Sequence, residues 1–253
     1  MDREARHRAL EHIRENIARF GYHLYIVSGK QNPRFAYTIG LSPKLGHELI
    51  FAGGVLFMYK EVGTIIRGVV DQSTLRSAAA AEACDVAPFG TFSFRPCDPS
   101  WVTLLMLGAT DFYQRSDIPA LQVVPDDGHM TIDVPDMAVP WSPQSAPLWQ
   151  WLKEPWAFSV PSDSEAVTDL DALRGFAVTE ACRWEENYWE LFAGAGPDVP
   201  EEEKRVVGLG MLLAADPSLA PVLGLKIGDG IWREGDLEWH PWETPEAKGE
   251  SAV

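Results

Sequence analysis

The chain has 253 residues, 46% of them hydrophobic and 23% charged, enough apolar content for one large or two modest buried cores. Its formal net charge of −16 is uneven: residues 1–80 carry 11 Lys and Arg against 7 Asp and Glu, and residues 81–253 carry 10 against 30. The acidic part is therefore a poor partner for nucleic acid, whose phosphates demand Lys and Arg, and a better one for a basic surface.

Residues 2–20 place Ala5, Ala9, Leu10, Ile13, Ile17 and Phe20 at helical spacing, and Gly21 is a helix stop. Tyr22–Val27 reads as a first strand. The stretch Phe35–Gly54 then reads as strand, polar break, strand, with FAYTIGL before the break and Leu49–Ala52 after it. These three strands predict a meander with the opening helix across one face. Residues 57–83 return to helical spacing. Thr91–Arg95, Trp101–Met106 and Leu121–Pro125 read as strands, with a short helix at 108–117 capped by Thr110. A hairpin-type turn follows at Asp126-Asp127-Gly128, with its return at His129–Ile132.

Residues 141–156 form a Pro- and Trp-rich connector, either packed between two domains or presented as an aromatic docking patch. Beyond it, Ala157–Val160, Phe176–Thr179 and Asn187–Gly194 read as strands, the first followed by an acidic loop at 161–169. Trp189 and Leu191 share one face of the last. Val206–Leu213 leads into a helix, and Asp216-Pro217 opens another with Asp216 as its cap. Leu225–Arg233 and Leu237–Trp242 read as closing strands, and 244–253 as a disordered tail. The expected fold is α+β in two domains, 1–140 and 157–243, each a mainly antiparallel sheet with a few packed helices.

No apolar run approaches the ~20 residues of a membrane helix, and the charged start MDREARHRALEHIREN lacks the apolar core of a secretory signal. The expectation is a cytosolic, bacterial protein. Cys84, Cys97 and Cys182 are too scattered for a disulfide framework or a metal knuckle. No dinucleotide, phosphate-loop, nucleophile-elbow or zinc-protease motif is present, so neither a cofactor nor a metal is expected. The densest chemistry is Tyr37, Thr38, His47 and Glu48. Together they can hold a polar ligand or move protons. Alternatively, His47 and Glu48 tie down the 41–48 loop while Gly46 supplies an unusual backbone angle.

Two resemblances follow from these residues. Residues 9–140 resemble an uncharacterised bacterial domain family, through Gly21-Tyr22-His23, the FAYTIGL run, Gly46-His47-Glu48-Leu49-Ile50 and Ala120–Val124 with Asp126. That family usually has a Pro between the His and the Glu, which are adjacent here. The FAYTIGL run is also similar to flavin-binding split barrels. Residues 157–243 are similar to immunity-type domains of bacterial polymorphic-toxin systems, through Val178-Thr179, Trp189–Gly194, Asp216–Leu219, Ile227–Arg233 and Trp239. The second resemblance implies an immunity or inhibitor protein rather than an enzyme, neutralising a basic toxin through an acidic surface. The candidate contacts are Glu185, Glu186, Glu201, Glu202 and Glu203. The alternative is a ligand-binding or enzymatic first domain, flavin-dependent in one version, with the acidic domain as its regulator.

Overall fold

The computed structural model describes residues 3–75, 83–234 and 238–242. Contacts divide the chain into two compact units, residues 1–155 and 156–253. Each is built on a six-stranded sheet, so the fold is α+β. The tail and the start of the last strand expected from sequence lie outside the described residues.

The first unit opens with helix α1 (Arg3–Phe20) and strands β1 (His23–Val27) and β2 (Phe35–Ile39). A single turn, α2 (Ser42–Leu45), leads to β3 (Glu48–Ala52), so Glu48 is the first residue of the strand rather than part of the loop. Helix α3 (Tyr59–Leu75), β4 (Ala83–Asp85), β5 (Thr91–Pro96), α4 (Pro99–Leu105), α5 (Leu107–Tyr113) and β6 (Ala120–Pro125) complete the element list. The sheet order is β1-β2-β3-β6-β5-β4, antiparallel except for the β3–β6 pair. β2 and β3 are buried throughout, which is why they read as continuous apolar runs without alternation. The α3 residues Val62, Ile65, Ile66, Val69 and Val70 close the main core with Phe51, Phe57, Phe92 and Val123. Gly40, at φ +110, lets α1 come close: a Cβ there would stand 2.8 Å from Ile17 Cγ1.

Three expectations are corrected here. Trp101–Met106 is helical: Asp98 caps it, its Oδ1 accepting from Ser100 N at 2.9 Å, Pro99 takes the first position, and the helix buries Trp101, Val102 and Leu105. Thr110 lies inside α5, where its hydroxyl bonds back to Met106 and Leu107 carbonyls and caps nothing. The Asp126–Gly128 turn is a short 3-10 turn with no returning strand, because the Asp126 carboxylate holds Thr91 N–H and His129 Nδ1. The Pro- and Trp-rich residues up to Pro155 belong to this unit. Trp149 is buried against Phe35 and Trp101 and donates to the Asp133 carbonyl at 3.0 Å.

The second unit comprises β7 (Glu165–Thr168), α6 (Leu170–Leu173), β8 (Glu180–Glu185), β9 (Tyr188–Phe192), β10 (Arg205–Gly208), α7 (Leu209–Ala215), β11 (Gly230–Trp232) and β12 (His240–Pro241). Its sheet order is β10-β7-β9-β8-β11-β12, with β7–β9 the one parallel pair among the described strands of this second sheet. Strand β7 lies within the stretch read as an acidic loop. Residues 157–160 form no strand, since Trp156 Nε1 donates to Val160 O and the segment folds back. Phe176–Thr179 runs up to the ladder, which begins at Glu180. Asp216 caps the 3-10 helix Pro217–Gly224, accepting from Ser218 N at 2.9 Å, as the sequence implies. Among the described residues no helix is long and apolar enough to cross a membrane.

Candidate functional site

Glu48 is fully buried at the head of β3, and its carboxylate collects five donors. Oε1 accepts from Gly40 N at 3.0 Å, Ser42 N at 2.9 Å and the Tyr113 hydroxyl at 2.5 Å. Oε2 accepts from the Thr38 hydroxyl at 2.7 Å and Leu41 N at 3.3 Å. Thr38 Oγ1 in turn accepts from Leu49 N at 2.9 Å. A carboxylate offers about four lone-pair sites, so the chain's own donors fill it. The backbone between β2 and α2 thus wraps the Glu48 carboxyl group, and Gly46 closes the turn at φ +82.

Of the four residues singled out from sequence, Thr38 and Glu48 meet directly. Tyr37 points elsewhere: its buried hydroxyl accepts from Gly108 N at 3.0 Å. His47 is half-buried, and burial lowers its pKa against the opposing pull of Glu48 and the Leu45 carbonyl. Tyr113 was not foreseen, and no local signal connects it to Glu48, 65 residues away. A cavity of about 350 Å3 opens beside this hub, lined by Ser42, Pro43, Gly46, Tyr113, Arg115 and Ile118 among others.

Both phenols are held neutral. Burial pushes Tyr37 up to about 12, and burial together with the bond and charge of Glu48 pushes Tyr113 higher still. A folded-state value above the unfolded one, near 10, gives stability that is complete below pH 10 and lost as pH rises. We expect Tyr37 to cost the first unit about 2–3 kcal/mol between pH 10 and pH 12. Tyr37→Phe should flatten that part of a urea-midpoint-versus-pH curve. An unchanged slope would mean the phenol is not so held.

The second candidate site is the outer face of the second sheet. Register places Trp242 beside Gly230, then Cys182, Glu190, Val167 and Val206, side by side across the strands. The adjoining row runs His240, Trp232, Glu180, Phe192. Trp184 sits at a bulge in β8 and reaches back to Glu190, its Nε1 donating to Oε2 at 2.8 Å. The opposite face buries Ala166, Ala181, Trp189 and Leu191 completely. On the outer face large apolar groups remain open to solvent: Trp184 is 44% exposed, Trp232 42% and Val206 58%. Carboxylates of Glu165, Glu180, Glu185 and Glu190 stand among them. Glu165, Glu185 and Glu190 all help raise the pKa of Tyr188, after burial, which leads.

Glu185 and Glu186 are exposed at the β8–β9 turn, beside this face. Glu201–Glu203 form an exposed 3-10 turn, where Glu201 pairs with Lys204. Lys204 Nζ stands 5.9 Å over the Phe192 ring, which ties that turn to the same face. Glu165, Glu180 and Glu190 were missed from sequence. The alternation Glu180-x-Cys182-x-Trp184 and Tyr188-x-Glu190-x-Phe192, read opposite Trp189 and Leu191, is the signal that marks them. Among the described residues, no three His, Cys, Asp or Glu side chains converge as metal ligands would.

Residues 16–131 match the model of a family described as a domain of unknown function (DUF4262). The match spans β1 to β6 with the Glu48 hub, and stops before the second unit. No curated protein and no solved structure matched the chain.

Proposed function

We propose that the chain is a protein-binding module of the immunity or inhibitor type, which neutralises a basic protein through the acidic second unit. The observation that carries this reading is the outer sheet face, where exposed Trp184, Trp232 and Val206 lie among the carboxylates of Glu165, Glu180, Glu185 and Glu190. Solvent-exposed tryptophans flanked by like charges favour burial against a partner of opposite charge. Residues 155–253 carry 7 Lys and Arg against 20 Asp and Glu, which supports fast association with a basic surface. On this reading the partner is a basic toxin, met in the cytosol.

The test is kinetic. Glu201, Glu202 and Glu203 changed together to Gln should slow association with the basic partner several-fold at low salt and far less at high salt, with dissociation nearly unchanged. Rim charges act through the encounter and are screened over about 8 Å at physiological salt. An association rate indifferent to both the triple change and the salt would leave the acidity a matter of solubility only.

A second reading, a small-molecule site in the first unit, is favoured by one observation. A groove of about 590 Å3 runs beside β1, lined by Asn16, Tyr22, His23, Arg67 and Asp71, and His23 is 6% exposed, its Nε2 without a hydrogen-bond partner among the described residues. A flavin absorbance band in the purified protein would favour this reading over the first.

A further inference from the structure

The outer face of the second sheet contains a cavity of about 400 Å3 whose walls are Trp184, Trp242 and Phe192, with Glu180, Glu190 and Cys182 on its floor. Its geometry is set by neighbouring strands. Cys182 pairs with Glu190 and Glu180 with Phe192 across β8 and β9, so all four side chains leave the sheet on one side. Trp242 N donates to Gly230 O at 2.8 Å, and a Cβ at Gly230 would stand 2.2 Å from the Trp242 ring. The indole therefore lies down on the sheet only because residue 230 is glycine. Trp184 faces it, ring centroids 6.3 Å apart at 57°, a splayed pair with an opening between them.

The carboxylates are placed and only partly used. Glu190 Oε2 is engaged by Trp184 Nε1, and Glu180 Oε2 by Gly196 N. The second oxygen of each carries no hydrogen bond among the described residues. Lys204 lines the same cavity: its ammonium bonds Glu201, stands 5.9 Å over the Phe192 ring and also feels the charge of Glu190, so the opening left to an incoming cation is the one between Trp184 and Trp242. The floor is accordingly anionic, and the Cys182 thiol registers this: burial first, then Glu190, Glu180 and Asp229, push it up to about 11. Aromatic faces attract cations through the ring quadrupole, and two flanking carboxylates add Coulomb attraction and hydrogen-bond acceptors. A ligand without donors would leave the two free oxygens unpaired on desolvation, a neutral donor would pair them without charge assistance, and an anion would be repelled.

We propose that this cavity receives a cationic side chain, the guanidinium of an arginine or the ammonium of a lysine, presented by the basic partner. The inference rests on the reading of the second unit as a binder of a basic protein, and it names the anchor within that surface. A single side chain seated between aromatic walls, ringed by rim charges, is the arrangement in which a few residues carry most of an interface's affinity.

The probes are N-acetyl-arginine amide and N-acetyl-lysine amide, with N-acetyl-citrulline amide as the neutral isostere, titrated into the full chain while the indole N–H signals of Trp184 and Trp242 are followed by NMR. Saturable shifts with both cations, with dissociation constants in the millimolar range and none with citrulline, are expected. Glu190→Gln, which keeps an acceptor for Trp184 and removes only the charge, should weaken binding about tenfold. Trp184→Phe should weaken it several-fold, since an aromatic wall is retained. Equal shifts with citrulline, no saturable shift with either cation, or an unaltered constant in Glu190→Gln would overturn the proposal. Glu202→Gln with Glu203→Gln, which leaves the Glu201–Lys204 pair intact, should leave these constants within about twofold, whereas the triple change at 201–203 also frees Lys204 and is read on the partner only. A basic partner that responds to that triple change and to salt, while the amides fail to bind, would sink the cavity alone. Amides that bind while the partner's association ignores both would sink the wider reading and leave a site for small cations.

Discussion

Glu48→Ala should destabilise the first unit by about 5 kcal/mol, as much as the whole stability of a domain at the low end of the usual range. The substitution leaves the backbone N–H groups of Leu41 and Ser42 and the hydroxyls of Thr38 and Tyr113 without their acceptor, while Gly40 N keeps only the Tyr113 oxygen at 2.8 Å. Each orphaned buried donor costs about 1–3 kcal/mol, and relaxation of the turn recovers part of the total. Glu48→Gln should cost less, about 2–3 kcal/mol, because one oxygen stays an acceptor while the new amide group meets donors. Thr38→Val removes one donor and one acceptor together and should cost least. Equilibrium urea unfolding of the full chain measures all three, with separate probes for each unit because a single two-state fit is not licensed for two units. The ordering matters as much as the size. A carboxylate kept for a ligand is held at a cost to stability, so its removal tends to be neutral or stabilising. If Glu48→Ala left the transition in place or raised it, the hub would not be an anchor, and ligand binding by Thr38 and Glu48 would become the better account.

How much of this was legible beforehand depends on what each residue answers to. The FAYTIGL and LIFA runs are read correctly because both strands are buried on both faces, and nothing local competes with their β-branched and aromatic character. Trp101–Met106 has the same character and is a helix. A capping Asp98 and a Pro99 at the first position outweigh propensity, and a six-residue apolar run carries too little periodicity to show it. Strand β7 is only Glu165–Thr168, set in an acidic stretch, and its place between β9 and β10 comes from partners far along the chain. The candidate sites divide in the same way. Thr38 and Glu48 were visible because a polar pair interrupts an apolar unit, but their role was not, since the fifth donor arrives from α5. On the second sheet the net charge was plain, whereas the face it gathers on required knowing that Glu180, Glu190 and Trp184 leave neighbouring strands on one side.

Arg233→Ala is expected to destabilise the second unit by about 3 kcal/mol. Arg233 is only 3% exposed, the rare fully buried guanidinium that needs every donor placed. Nε donates to the Val178 carbonyl at 2.7 Å, one terminal nitrogen to Ser218 Oγ at 2.7 Å, and the other to Asp216 Oδ2 at 3.0 Å. The guanidinium also lies 4.3 Å from the centre of the Trp239 ring. One side chain thus joins the run into β8, the cap of the Pro217–Gly224 helix and the segment that follows β11. Removing it strands the Val178 carbonyl and leaves Asp216 without its cation, although Asp216 is one-third exposed and regains some water. Lysine is no substitute, because a single ammonium cannot reach three acceptors in the plane of the fork. The pH dependence supplies an independent check. Burial pushes the Asp216 carboxyl up, but the bonds from Ser218 and the bond and charge of Arg233 outweigh it and hold it below the ordinary range. A lowered folded-state value gives stability that is present above the unfolded pKa, near 3.9, and lost as pH falls through the folded one. The wild-type second unit should therefore weaken as pH drops below about 4, and Arg233→Ala should show a shallower acid limb from an already lower plateau. Loss of stability with an unchanged acid limb would mean that Arg233 acts through packing on Trp239, with its pairing to Asp216 contributing nothing measurable.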